Sequence, residues 1–374
     1  MNYNERYIEL KSSFTIGKDF QTKSTKIDVK FFNFNSLTVS EDGKRLSPDS
    51  NIKENSSFIY PVFTPAGRSK TDNDKVILLL HGLNERNWEK YLTWAEFICA
   101  NSGKPVILFP IAFHINRAPM SWSNPRKMID LLKIRKQMYQ DDRSMSFANV
   151  ALSDRLSRNP ERFYMSGRQT WADLTSLYDD IKRGMHPMFK EGSQIDIFAY
   201  SIGAFLSQIA LMANQKNLYT NTKLFIFCGG SIFGSMQGTS RNIMDKPAFQ
   251  TTQDYYINSF GNEPWSFHVK WIRDKAFKAF SSMISPDYLR VEREETFSKL
   301  SNQIKGITLV KDKVIPLHGV AEAMGEIITE KNITTLDFPF PYTHENPFPH
   351  NTHDTSSLNS TFRNVFSQAV EFLA

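Results

Sequence analysis

The chain has 374 residues, 40% of them hydrophobic and 22% charged, and this length allows one large α/β domain with insertions or two ordinary domains. Its formal net charge is +6, from 45 lysines and arginines against 39 aspartates and glutamates. The basic residues form no long run, which gives no reason to infer nucleic-acid binding and leaves an anionic substrate permissible. No apolar stretch approaches the roughly 20 residues of a membrane span, so no such span is expected.

Only two cysteines are present, Cys99 and Cys228, and both lie in apolar segments. Buried free thiols are typical of proteins in a reducing compartment. The first residues of the sequence as given also lack the apolar segment of a signal peptide. We therefore expect a cytoplasmic protein.

Roughly the first 75 residues have the pattern of strands and loops. Ile27–Phe31 alternates between apolar and polar residues, and Ser57–Phe63 is a second strand candidate. We expect residues 1–56 to form an N-terminal extension of strands and loops, and residues 57–374 to form the main domain.

From Val76 onwards, strands alternate with helices. Val76–Leu80 is a continuous apolar run, as expected for a strand covered on both faces. A helix with one apolar stripe follows it and ends before Gly103. Further buried strands are predicted at Pro105–Phe109, Ile195–Phe198, Leu224–Cys228, Ile307–Val310 and Ile333–Leu336. An amphipathic helix ends the chain. This alternation predicts a mostly parallel central sheet flanked by helices, with right-handed crossovers.

Two stretches, at roughly 114–180 and 236–304, are too long to be simple crossovers. The first carries the apolar segment Met128–Leu132 and a helix near 171–181. The second is predicted to hold a helix with five apolar residues on one face, namely Trp265, Val269, Ile272, Ala276 and Phe280. After it, Ser285 and Pro286 form an N-cap and first-position pair that opens another helix. We interpret both stretches as helical cap or lid insertions over the carboxyl edge of the sheet, where ligands bind in such folds. The alternative is extra packing helices on the outside.

The segment Ala199–Gly203, with sequence Ala-Tyr-Ser-Ile-Gly, lies between a buried-strand pattern and a helical one. Small residues two before and two after Ser201 let the strand and the helix close up. Ser201 is then held exposed at the tip of the turn, beside the free N–H groups of the helix start. This is the geometry of a nucleophile, although a serine that only caps the helix gives the same pattern.

The segment His81–Asn84 directly follows the strand Val76–Leu80. Gly82 allows a tight turn, so that the next N–H can point into the site, and the N–H groups of Leu83 and Ile202 are the candidate oxyanion donors. The chain resembles the α/β-hydrolase superfamily, in which His-Gly-x follows the third strand and the nucleophile elbow follows the fifth. Ala199 stands where the superfamily usually has glycine. We expect His81, Gly82 and Tyr200 to border the substrate, with a mainly structural role for the His81 side chain.

The superfamily order of serine, acid and histidine implies where the partners of Ser201 lie. Asp312 follows the strand Ile307–Val310 in a segment that resembles the acid loop of the superfamily, and no acid follows the strand Leu224–Cys228. The base should come from the loop after the last strand. His344 is first there and precedes a glutamate, whereas His350 and His353 are the alternatives. We expect His318, close to Asp312, to be structural.

The same three histidines, with Glu345 or Asp354, raise a zinc site as a rival, because neutral imidazoles and carboxylates are ordinary Zn²⁺ ligands. His-Glu-x-x-His is absent, and two prolines forbid the helix that this motif requires. We therefore expect neither a metal nor a cofactor.

The segment His114–Trp122 leaves the carboxyl end of the strand Pro105–Phe109, which predicts that it borders the pocket. Arg117 could bind a carboxylate or phosphate of the substrate in a bidentate manner. It could equally pair with a carboxylate of the protein.

The resemblance covers roughly residues 57–374 and implies an α/β-hydrolase fold with cap or lid insertions. It implies attack by Ser201 on a carbonyl, with His344 as general base and Asp312 orienting it, followed by hydrolysis of an acyl-enzyme. The 30 phenylalanines and the helical insertions suggest a small-molecule substrate, an acyl or aromatic ester of modest size. An amidase or peptidase with the same residues, and a non-catalytic or metal-dependent protein on this fold, stay open.

Overall fold

Nine strands form one sheet in the part of the chain that the computed structural model describes, which is residues 2–36, 49, 51–140, 142–260 and 274–374. The strands are β1 (Phe20–Gln21), β2 (Ile27–Asn35), β3 (Ser57–Pro65), β4 (Lys75–Leu80), β5 (Val106–Leu108), β6 (Gln194–Tyr200), β7 (Leu224–Phe227), β8 (Ile304–Leu309) and β9 (Ile333–Leu336). The α-helices of the same residues are α1 (Tyr3–Ser13), α2 (Lys53–Ser56), α3 (Glu89–Ser102), α4 (Pro125–Met138), α5 (Val150–Arg158), α6 (Glu161–Lys182), α7 (Ile202–Ala213), α8 (Lys246–Asp254), α9 (Lys275–Ser282), α10 (Arg290–Leu300), α11 (Leu317–Met324), α12 (Glu326–Asn332) and α13 (Thr355–Leu373). None of these helices has the length and apolarity needed to cross a membrane.

The sheet order is β1-β2-β3-β5-β4-β6-β7-β8-β9. The pairs β1-β2, β2-β3 and β3-β5 are antiparallel. The pairs β5-β4, β4-β6, β6-β7, β7-β8 and β8-β9 are parallel. In the centre, β4 and β6 pair in register from Lys75 opposite Gln194 to Leu80 opposite Ala199. The predicted mostly parallel sheet flanked by helices is confirmed, and the carboxyl ends of its parallel strands meet at one edge.

Both faces of the central strands are buried, because successive side chains of a strand point to opposite faces. Leu78 of β4 and Ile197 of β6 belong to a core shared with α6, α7 and α9. Leu79 and Phe198 belong to the opposite core, shared with α1, α3 and α13. This double cover explains the continuous apolar runs in the sequence.

The N-terminal segment is where the strand-and-loop prediction is wrong. Tyr3–Ser13 forms α1, with the Asn2 side chain as its N-cap. The helix is mostly polar, so no apolar stripe marks it in the sequence. Its buried Arg6 donates from Nε to the Glu96 carboxylate of α3 at 2.9 Å, a contact that only the fold creates.

The two long stretches contain helices, as expected: α4, α5 and most of α6 lie in the first, and α8, α9 and α10 in the second. Of the helix predicted from Trp265 to Phe280, residues 261–273 lie outside the described residues, and α9 begins at Lys275.

The predicted helix start at Ser285 and Pro286 is wrong, because α10 begins at Arg290. The Arg293 guanidinium binds the carbonyls of Ser282 and Tyr288 at 2.6 and 2.9 Å. These backbone acceptors are therefore satisfied by a side chain, and the segment forms turns instead of a helix.

Candidate active site

Ser201 occupies the sharp turn between β6 and α7, with φ +56° and ψ −121°. Such a conformation is unfavourable for a residue with a side chain and persists only where the surrounding fold enforces it. Two residues on, a Cβ at Gly203 would lie 2.8 Å from the Leu80 carbonyl oxygen and 2.9 Å from that of His81. Only glycine at position 203 lets α7 approach the end of β4 this closely. This close approach is why a small residue is needed two positions after Ser201.

The side chains of Ser201, His344 and Asp312 form one chain of hydrogen bonds, called the triad below. Ser201 Oγ lies 2.7 Å from His344 Nε2, and His344 Nδ1 lies 2.7 Å from Asp312 Oδ2. All three side chains are buried, with residue exposures of 6%, 4% and 7% in that order. An ionised carboxylate can only accept hydrogen bonds, so His344 Nδ1 carries the imidazole proton and donates to Asp312 Oδ2. The lone pair of His344 Nε2 therefore faces the Ser201 hydroxyl.

Asp312 is held by the backbone that follows it. Its Oδ1 accepts from the N–H groups of Val314 and Ile315 at 2.8 and 3.0 Å, which leaves Oδ2 directed at His344. The loop after β8 thus fixes both the position and the rotation of the carboxylate.

Of the three histidines after β9, the structure brings His344 to Ser201. The rings of Tyr200 and His344 stack with centroids 5.5 Å apart, and the Tyr200 hydroxyl donates to the His344 carbonyl. His350 is exposed and stacks on Tyr7, and His353 is exposed as well. Tyr200, expected only to border the substrate, therefore also positions His344.

The N–H groups of Leu83 and Ile202 lie at the loop after β4 and at the first residue of α7. In the described residues, no hydrogen bond engages either N–H group. The first N–H groups of a helix lack partners within the helix, so Ile202 offers a donor beside the Ser201 side chain.

His81 does not line the cavity that Ser201 lines, so the expectation that it borders the substrate is wrong. Its Nδ1 donates to the Gly82 carbonyl at 2.8 Å, and its Nε2 accepts from the Ile111 N–H at 2.9 Å. Burial, and next the neighbouring His114, hold the pKa of His81 well below its ordinary value. A neutral ring with both nitrogens occupied shapes the loop that presents Leu83.

Gly82 lines the cavity and lies against the Tyr200 ring, to which an added Cβ would approach within 3.1 Å. Its N–H donates to the Tyr91 hydroxyl at 2.9 Å.

Arg117 does not line this cavity either, so of the two expected roles the structure contradicts substrate binding and confirms pairing with a carboxylate of the protein. Its guanidinium is fully buried and pairs with Asp173 of α6 at 2.7 Å. It also donates to the Asn55 side chain and to the Pro110 carbonyl at 3.1 Å each. A buried charge needs such a partner, so Arg117 joins α6 to the loop after β5.

The cavity that Ser201 and His344 line has a volume of about 200 Å³ and a largely polar rim. Gly82, Leu83 and Tyr200 line it as well. Asn242 and Ile243, from the second insertion, also line it. No local pattern marks those two residues, because only the folding of the insertion brings them to the edge of the sheet.

The rival metal ligands do not gather. In the described ranges, no group of three or more His, Cys, Asp or Glu side chains could hold a metal ion. Asp354 accepts from the Ser357 N–H as the N-cap of α13, and His344 is bonded to Ser201 and Asp312.

This sheet, with a serine at the turn after β6 and the acid and histidine after β8 and β9, defines the α/β-hydrolase class of fold. The chain belongs to a family described as a family of unknown function, DUF6051, whose sequence profile matches residues 38–374. No curated protein matches the sequence.

Three solved structures illustrate the likeness in fold. A mutant of esterase rPPE complexed with (S)-Ac-CPA matches 100% of this chain and 91% of its own, at 9% identity and a TM-score of 0.52. Carboxyl esterase 2 from the mycorrhizal fungus Tuber melanosporum matches 98% of this chain and 97% of its own, at 10% identity and a TM-score of 0.49. An esterase from Pyrobaculum calidifontis matches 99% of this chain and 90% of its own, at 10% identity and a TM-score of 0.47.

Proposed function

We propose that this protein is a serine hydrolase that cleaves carboxylic esters through Ser201, His344 and Asp312. The observation that carries the proposal is the hydrogen-bonded triad, with 2.7 Å between Ser201 Oγ and His344 Nε2 and 2.7 Å between His344 Nδ1 and Asp312 Oδ2. A serine hydroxyl is a weak nucleophile, and a base oriented in this way is what activates it.

In the proposed mechanism, Ser201 Oγ forms a bond to the carbonyl carbon while its proton passes to His344 Nε2. Asp312 stabilises the imidazolium that results. The oxygen of the tetrahedral intermediate accepts from the N–H groups of Leu83 and Ile202. His344 then donates its proton to the departing alcohol. In the second half, a water gives a proton to His344 Nε2 and attacks the carbonyl carbon of the acyl-enzyme. The bond from that carbon to Ser201 Oγ then breaks, Oγ takes the proton back from His344, and the carboxylic acid is released.

We further propose that the two insertions, at roughly 114–180 and 236–304, form a cap over this edge of the sheet. The support is that Asn242 and Ile243 line the cavity of Ser201 and that α6 and α9 line the cavity next to it. Buried free thiols at Cys99 and Cys228 favour a cytoplasmic location as part of the same proposal.

A fluorophosphonate probe tests the nucleophile directly, because serine attack on phosphorus expels fluoride and leaves a stable phosphonyl-enzyme. We expect the wild type to be labelled and Ser201→Ala to be unlabelled. Ser207→Ala is the matched control, since Ser207 is a buried serine of α7, the helix that follows Ser201, and its hydroxyl donates to the Gly203 carbonyl at 2.7 Å. Labelling that survives Ser201→Ala, or a folded wild type that is not labelled, would refute the assignment.

The base is tested with His344→Ala, His350→Ala and His353→Ala assayed on one substrate. We expect a loss of about 10³-fold or more for His344→Ala and little change for the other two, because only His344 contacts Ser201. An equal loss in the His350→Ala variant would contradict the mechanism.

Comparing an ester with its matching amide separates an esterase from an amidase that uses the same residues.

A further inference from the structure

A second cavity, of about 60 Å³, lies next to the cavity of Ser201 and is apolar. Side chains of α6, α7 and α9 form its walls, among them Phe163, Trp171, Phe205 and Phe280. Among its polar wall residues, the Ser166 hydroxyl donates to the Ala112 carbonyl at 3.0 Å and the Arg168 guanidinium pairs with Asp274 at 2.9 Å. The surface that the cavity presents to a ligand is almost wholly hydrocarbon and aromatic.

The two residues whose N–H groups are proposed to bind the oxyanion, Leu83 and Ile202, also line the apolar cavity. The side chains of Leu83 and Ile202 line it, while their N–H groups are free to bind the carbonyl oxygen. A carbonyl bound there is thus placed at the mouth of the apolar cavity. One of its two substituents enters this cavity, and the other enters the polar cavity.

The position of His344 decides which substituent goes where. The departing alcohol must receive its proton from His344 Nε2, so it lies on the side of the carbonyl that His344 lines. His344 lines the polar cavity, with Asn84 and Glu345, and does not line the apolar one. The alcohol therefore leaves through the polar cavity, and the acyl chain lies in the apolar cavity.

Gly167, in the second turn of α6, is also part of the apolar wall. A Cβ built there meets no atom within 4 Å, so the space beside it is open. Glycine inside a helix costs about 0.5–1 kcal/mol of stability relative to alanine, and no close contact at this position requires it. Its effect is to leave room in the cavity that a larger side chain would fill.

We propose that the apolar cavity between α6, α7 and α9 binds the acyl chain of the substrate, that Gly167 keeps it open, and that the substrate class is esters of aliphatic acids with small polar alcohols. This inference rests on the proposed hydrolase function and deepens it.

Two isomeric esters test the orientation, because ethyl hexanoate carries a five-carbon chain on the acyl side of the carbonyl and hexyl acetate carries a six-carbon chain on the alcohol side. Each methylene that enters the cavity should raise kcat/KM about fourfold, so the wild type should prefer ethyl hexanoate by about tenfold or more. Gly167→Leu should lower kcat/KM for ethyl hexanoate about tenfold or more and change that for hexyl acetate less than about threefold. Gly167→Ala, which adds one methyl group to the same wall, should lower kcat/KM for ethyl hexanoate less than Gly167→Leu does and give an intermediate preference between the two esters.

The activity on hexyl acetate also reports whether Gly167→Leu is folded. Equal losses on both esters in a variant with unchanged thermal stability would overturn the proposal, as would a loss confined to hexyl acetate or no loss at all.

A binding measurement separates failure of this inference from failure of the proposed function. Calorimetry of hexanoate and acetate with Ser201→Ala protein needs no catalysis. We expect hexanoate to bind more tightly than acetate, and the additional Gly167→Leu change to remove that difference. If the wild type is not labelled by the fluorophosphonate, the function fails, and hexanoate binding still tests the cavity. Hexanoate binding that is absent, or insensitive to Gly167→Leu, overturns the cavity assignment even in an active hydrolase.

Discussion

The sharpest test of the mechanism is Asp312→Asn, because the structure dictates how the new amide sits. Asp312 Oδ1 accepts from two backbone N–H groups, those of Val314 and Ile315. Only the amide oxygen of asparagine can take that place, so the NH₂ group faces His344 Nδ1. Nδ1 must then accept, which moves the imidazole proton to Nε2. In this tautomer Nε2 donates to Ser201 and cannot take the proton from its hydroxyl.

The expected magnitude follows from this change of tautomer. All three side-chain hydrogen bonds of residue 312 survive and the side chain keeps its shape, so the free energy of unfolding should change by no more than about 1 kcal/mol. The rate of the chemical step should fall about 10⁴-fold, which corresponds to about 5.5 kcal/mol in the activation free energy.

The assay is the rate of fluorophosphonate labelling together with kcat on ethyl hexanoate, with urea unfolding as the measure of stability. Asp337→Asn is the control, because Asp337 is a carboxylate nearby in space that pairs with Lys311 at 3.0 Å and lies outside the triad. We expect the control to remain within about twofold of wild type, since exposed ion pairs contribute little. An Asp312→Asn protein that keeps more than a tenth of the wild-type rate would refute the proposed role of Asp312.

Three further predictions concern the elbow, a buried ion pair and pH. Gly203→Ala places a Cβ 2.8 Å from a backbone carbonyl and displaces the start of α7, so it should cost about 1–3 kcal/mol in urea unfolding and slow labelling about 10²-fold; wild-type values for both would contradict the close approach. Arg117→Met leaves the Asp173 carboxylate buried without its cation and should lower the free energy of unfolding by about 3–5 kcal/mol. The double variant with Asp173→Leu should regain most of that loss. Losses that simply add in the double variant would contradict the pairing. Burial lowers the pKa of His114 and of His186 to about 4, below the value of about 6.5 in the unfolded chain. The unfolded state therefore binds more protons between these values, so stability holds above pH 6.5 and falls towards pH 4, by up to about 1.4 kcal/mol per pH unit for each histidine; unfolding free energies that do not fall between pH 7 and pH 5 would contradict it.

Several of these features were predictable from the sequence, because each depends on residues that are near neighbours in the chain. The apolar runs at β4, β6 and β7 mark strands buried on both faces, and Ser201 with Gly203 marks the turn after β6. Parallel strands end at one edge of a sheet, so residues that follow different strands meet there. Together with the order of serine, acid and histidine in the α/β-hydrolase superfamily, which the chain resembles, that rule led us to expect Asp312 and a histidine after β9 near Ser201.

The tertiary structure decided what local patterns leave open. The choice of His344 over His350 and His353 depends on Tyr200, which lies 144 positions earlier in the chain and holds the His344 carbonyl. The partner of Arg117 and the helix α1 likewise depend on distant residues, Asp173 in one case and Glu96 in the other. Periodicity and turn composition are properties of short segments, whereas the selection of one side chain among several in an irregular loop is made by contacts between segments, and those exist only in the fold.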